Sequence, residues 1–78
     1  MVKKVWVVRG FVKEKGKQKH LDGPCFFATR SEAEKERGFF RPETLDRIAY
    51  QFVTVNTAKR RNITYGAGRY RGMRLKDL

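Results

Sequence analysis

From Val5 to Lys13 the chain reads Val-Trp-Val-Val-Arg-Gly-Phe-Val-Lys, and a run this dense in β-branched and aromatic residues suits a pleated strand. Side chains alternate along a strand, so Trp6, Val8, Gly10 and Val12 share one face and Val5, Val7, Arg9, Phe11 and Lys13 the other. The first is the cleaner core face; the second mixes apolar with basic groups. Glu14-Lys15-Gly16-Lys17-Gln18-Lys19 then reads as a hairpin tip, with the chain returning through His20 and Leu21 as a short second strand. Asp22-Gly23-Pro24 is a turn signal, and Cys25 to Thr29 follow as a third short strand.

A helix start comes next. Thr29 and Ser31 are both good N-caps, and each has a glutamate three residues on, Glu32 and Glu34, so a capping box is available in either register. Ala33 and Phe40 would face the sheet, and Gly38 would end this helix. Pro42 to Ala49 reads as a second short helix with proline in its first turn. Residues 51 to 55 have strand composition, and Ile63 and Tyr65 are expected to pair with them across an Asn56-to-Asn62 turn. Residues 66 to 78 lack an apolar period and are expected to form a basic tail.

Seventy-eight residues bury one small core, and 40% hydrophobic with 13% aromatic residues is too apolar for a disordered chain. The reading is an α+β fold: a small antiparallel sheet of three or more strands packed on one main helix, with a basic C-terminal tail. Residues 1–57 form the sheet-plus-helix domain, and 58–78 a basic hairpin or tail that either belongs to it or is flexible. No apolar run is long enough to span a membrane, and the charged amino terminus does not read as a signal peptide, so a cytoplasmic protein is expected.

The net charge of +11 is segregated. Residues 1–20 carry seven basic groups (Lys3, Lys4, Arg9, Lys13, Lys15, Lys17, Lys19) against Glu14, and residues 59–78 carry seven (Lys59, Arg60, Arg61, Arg69, Arg71, Arg74, Lys76) against Asp77. The middle, with five basic and six acidic side chains, is close to neutral. A surface that is merely solubilising intersperses its signs, so basic ends point to a polyanionic partner. Lys13, Lys15, Lys17 and Lys19 recur at spacing two and, on strand geometry, would line one side of the hairpin as a phosphate-binding row; an edge strand protected by lysines is the plainer alternative. At the carboxyl end Arg60, Arg61, Arg69, Arg71 and Arg74 interleave with Tyr65 and Tyr70, candidate stacking rings beside guanidinium forks that suit phosphate.

Catalysis has little to work with. His20 has no nucleophile at a meaningful spacing, Cys25 lies in an apolar strand, and the carboxylates fall at capping or helix-surface positions. One cysteine and one histidine do not furnish the four ligands of a structural zinc site, so no metal or cofactor is expected.

Gly16-Lys17-Gln18-Lys19 followed by Phe26-Phe27-Ala28-Thr29-Arg30-Ser31-Glu32-Ala33-Glu34 resembles the amino-terminal arm-type DNA-binding domain of phage tyrosine integrases, over about residues 5–36. The resemblance implies a three-stranded antiparallel sheet laid against the DNA major groove, with Arg9, Lys13, Lys15, Lys17 and Lys19 at the contacting positions and Phe27, Thr29 and Ala33 as scaffold. No recombinase domain follows in these residues, and the segment from Ala58 has no counterpart. The expectation is therefore a small nucleic-acid-binding protein of a phage or mobile element, regulatory or architectural, with double-stranded DNA favoured over RNA. About 5 to 8 phosphate contacts are expected, and Arg9 and Gln18 are nominated for base edges. An inhibitor or modulator docking on an acidic host protein, anchored by Trp6, Phe39 or Phe40, is the first alternative. A ribosomal or other RNA-binding component is the second.

Overall fold

A computed structural model of the chain describes residues 3–35 and 45–78. Strand β1 (Lys4–Glu14) and strand β2 (Lys17–Phe27) form a long antiparallel hairpin, followed by a short helix α1 (Arg30–Lys35). Strand β3 (Arg47–Thr54) pairs antiparallel with the other side of β1 and leads directly into helix α2 (Val55–Arg60). A two-residue strand β4 (Tyr65–Gly66) then adds parallel to β2, giving a mixed sheet in the order β3-β1-β2-β4. Two 3-10 turns, Gly68–Tyr70 and Leu75–Asp77, complete the described chain.

The hairpin turn follows from local chemistry. Lys15 and Gly16 both have positive φ, 53° and 78°, which is the requirement of a two-residue type I′ turn. The expected turn at Asp22-Gly23-Pro24 is instead an irregularity inside β2: Val7 pairs with Phe26, but Arg9 pairs with Asp22. Glycine and proline within a strand mark a bulge as readily as an end, and here the ladder resumes on both sides of it.

Both faces of β1 are buried near its start. On one side Val5, Val7 and Phe26 pack with Ala58 of α2, Ile63 and Leu75. On the other Val8, Cys25 and Phe27 pack with Ala33 of α1. The face expected to be mixed thus supplies the two most buried valines, each fully removed from solvent, and the fold is not a sheet resting on one main helix. It is mostly sheet, with a six-residue helix on each face.

Three further expectations are corrected. Residues 47 to 49 belong to β3 and not to a helix; the proposed helix start at Pro42, like the end of α1 at Gly38 and the contact from Phe40, lies outside the described residues. The segment 56–62 is no hairpin turn, because Thr54 caps a helix by accepting from the Thr57 amide at 3.1 Å, and Asn62 stops it at φ 61°. Tyr65 consequently pairs with Cys25 on the opposite edge of the sheet.

The carboxyl-terminal residues are not a tail. Gly66 donates to Met73 at 2.8 Å and Leu75 to Thr64 at 3.1 Å, while Tyr70 packs its ring on Phe26, 5.6 Å between centroids. Leu75 is buried, and Met73 and Leu78 cover the same core. Glu32 ties this segment to α1. Its carboxylate accepts from the Ala28 amide and, 37 residues along, from the Arg69 amide, both at 3.1 Å, while Thr29 Oγ1 accepts from the Glu32 amide.

Replacing Glu32 by Ala removes the acceptor of two backbone donors, and should lower the unfolding free energy by about 1–3 kcal/mol in urea denaturation. Glu34→Ala, which breaks only the exposed pair with Arg30, should cost less than about 0.5 kcal/mol. Gly66→Ala should be worse than either, because its Cβ would sit 2.2 Å from the Tyr70 carbonyl oxygen.

Candidate nucleic-acid interface

The hairpin outruns its cover. Residues 13 to 21 are exposed, and in this outer part β1 and β2 form a two-stranded ribbon with Lys15 at its tip. The register distributes its cations. Lys13 lies opposite Gln18, on the face that also carries Phe11 and His20. Lys19 lies opposite Val12 and Lys17 opposite Glu14, which places both on the other face. The lysine row is therefore divided between the two faces by the turn, since alternation restarts when the chain reverses. Lys19 pairs with Glu14 at 3.2 Å, but both side chains are more than half exposed, so the contact leaves Lys19 accessible.

Arg9 is differently placed from the other basic residues of the hairpin. Its Nε and Nη2 donate to the two carboxylate oxygens of Asp22 at 2.7 and 3.2 Å, and both side chains are mostly buried. Arg61 approaches the same carboxylate at 4.0 Å and donates to Gln51 Oε1 at 2.7 Å. The bidentate pair holds the Arg9 guanidinium against the sheet, away from a base edge, and the Gln51 hydrogen bond holds Arg61 beside it. Gln18 remains exposed beside Lys13. Sequence reasoning overlooked Arg47, whose guanidinium lies 4.4 Å from the centre of the Phe11 ring and adds a cation to the Lys13 face. Its assignment to a helix concealed that neighbour.

The carboxyl-terminal cations form a second group at the β4 edge. Lys59, Arg74 and Lys76 line an open groove of about 610 Å³ together with Asn62, Thr64 and Tyr65. A second depression of about 590 Å³, on Cys25, Gly66, Gly68 and Arg71, shares Tyr65 as a wall. Arg69 and Arg60 are exposed, and Arg60 donates to Thr57 Oγ1 at 3.2 Å. Tyr65 is 46% exposed, whereas Tyr70 is half-buried on Phe26. Lys59 and Lys76 were not singled out from the sequence, although Lys59 adjoins Arg60 and Arg61.

A side-chain hydrogen bond with Cys25 raises the Tyr65 phenol above its ordinary pKa of 10.0. Among the described residues no helix is long and apolar enough to cross a membrane, and no three His, Cys, Asp or Glu side chains cluster as a metal site. Comparison with protein-family models, with curated proteins and with solved structures gave no match.

Two outcomes check this geometry. Asp22→Ala leaves Arg9 and Arg61 without their carboxylate, and should destabilise the fold by about 1–3 kcal/mol on chemical denaturation. For Tyr65 the folded-state pKa lies above the unfolded one, so its stabilising contribution is complete below pH 10.0 and is lost as the pH rises through the raised value. Cys25→Ala should move the Tyr65 ionisation, followed by ultraviolet absorbance, back toward 10.0.

Proposed function

We propose that the protein binds double-stranded DNA through the β1–β2 ribbon, as a regulatory or architectural factor and not as a catalyst. The observation that carries this reading is the ribbon's shape and charge together. It projects from a molecule of 42 × 23 × 16 Å, is exposed on both faces, and presents Lys13, Lys15, Lys17 and Lys19 against two carboxylates, Glu14 and, at its base, Asp46, which accepts from the Lys13 amide at 2.6 Å. The major groove, about 12 Å wide, admits a two-stranded β-ribbon, and lysines on such a ribbon neutralise backbone phosphates whatever the base sequence.

The resemblance to integrase arm-type domains implies Lys13, Lys15, Lys17 and Lys19 at the DNA on one sheet face, whereas the register sets Lys13 and Gln18 on one face and Lys17 and Lys19 on the other; Gln18 is the base-edge candidate beside Lys13. Arg9, tied to Asp22, serves this reading as a scaffold residue. A protein partner with an acidic face is the second reading; of its expected anchors Phe39 and Phe40 lie outside the described residues, and Trp6 is stacked at 5.1 Å on Phe52, which is 52% exposed and available in their place.

Fluorescence anisotropy with a 25-base-pair duplex at two salt concentrations tests the proposal. The logarithm of affinity should fall with that of salt at about −0.9 per phosphate neutralised, and Lys15, Lys17 and Lys19 changed together to Ala should reduce the slope by about 3 units. Arg9→Ala should leave that slope unchanged. Duplex binding by the triple variant equal to that of the unmodified protein would overturn the ribbon as the contact surface, and dependence of partner capture on Phe52 would favour a protein.

A further inference from the structure

The β4 edge, at the other end of the sheet from the ribbon tip, gathers cations around an exposed aromatic ring. Lys59 arrives on α2, Arg74 and Lys76 on the closing segment, and Arg71 on the turn between them. Among the described residues none of these four is in an ion pair. Tyr65 stands where the two depressions meet, with three of the cations on one side and Arg71 on the other. Its backbone is held between Cys25 of β2 and Arg74, so the place of the ring on the sheet edge is set by the fold.

We infer that this edge is a second nucleic-acid site, one that takes a single strand by stacking a base on Tyr65 while Lys59, Arg74 and Lys76 on one flank and Arg71 on the other hold its phosphates. The inference rests on the nucleic-acid reading above but concerns a separate surface and a different form of the ligand. Bases within a duplex are already stacked on their neighbours, so a lone exposed ring in a cationic groove selects an unpaired strand. Asn62 and Thr64, which line the same groove, add hydrogen-bonding side chains without fixing a base sequence.

The experiment is an anisotropy titration of a labelled 12-nucleotide oligothymidylate and of the 25-base-pair duplex against five proteins: the unmodified chain, Tyr65→Ala, Tyr65→Phe, Arg74→Ala, and the triple lysine-to-alanine ribbon variant. Tyr65→Ala should weaken single-strand binding by about tenfold while leaving duplex binding within about twofold. Tyr65→Phe keeps the ring and should restore most of that affinity, which loss of the Cys25 hydrogen bond alone would not allow. The ribbon variant should lose duplex affinity and keep the oligothymidylate. Arg74→Ala, at an exposed position, supplies a second variant and should also weaken the single strand selectively. Single-strand binding that ignores both Tyr65→Ala and Arg74→Ala, or that disappears with the ribbon lysines, overturns the second site and leaves the duplex reading intact. Absence of binding to either probe at low salt overturns both.

Discussion

Val5 and Val7 are fully buried on one face of β1 while Val8 is buried on the other, and a strand apolar on both faces must be covered twice. Most of the molecule is arranged by that demand. Helix α1 brings Ala33 to one side, and α2 with the carboxyl-terminal segment brings Ala58, Ile63 and Leu75 to the other. Each helix spans six described residues, too few to hold its shape without the packing it supplies. The last residues of the chain are recruited into the core because α2 alone leaves Phe26 uncovered on that face, where Tyr70 now lies.

This cover is limited in extent, and its limit shapes the candidate surface. It spans the start of β1 and the end of β2, leaving the distal hairpin exposed on both faces. The same packing that orders residues 65–78 holds Arg71, Arg74 and Lys76 around Tyr65 at the sheet edge. Two groups of exposed cations, on the ribbon and at the β4 edge, thus stand apart on an elongated molecule, while Arg9 and Arg61 are turned inward on Asp22. An arginine in a bidentate pair with a half-buried carboxylate is held by more than a surface ion pair, because separating it would strand both charges.

Much of the first half was legible in the residues themselves. The strand from Val5, the hairpin tip at Lys15-Gly16 and the Thr29 cap each rest on chemistry confined to a few neighbours: β-branching, positive φ and a side-chain oxygen three residues from an amide. The second half was misread where local signals compete. Arg47-Ile48-Ala49 has helical spacing with Leu45 and Phe52, but pairing with Phe11, Gly10 and Arg9 along β1 makes it strand. Met73, Leu75 and Leu78 follow neither period; Gly68 and Gly72, with φ of 61° and 86°, turn the chain just before them, and only the folded path brings those side chains to one core.

For the candidate surfaces the division is similar. Sequence alone determined that positive charge lies at the two ends of the chain, that a lysine-rich hairpin exists, and that Tyr65 and the arginines around it are close in number. Tertiary structure decided which of those charges face outward: Arg9 and Asp22 are thirteen residues apart and meet only because β1 and β2 pair in one register. It also decided that the lysines occupy both faces of a ribbon and that Lys59 joins Arg74 and Lys76 around Tyr65. The physical reason is that composition and spacing report interactions within a few residues, whereas register and burial are set by the one arrangement of distant segments that covers both faces of β1.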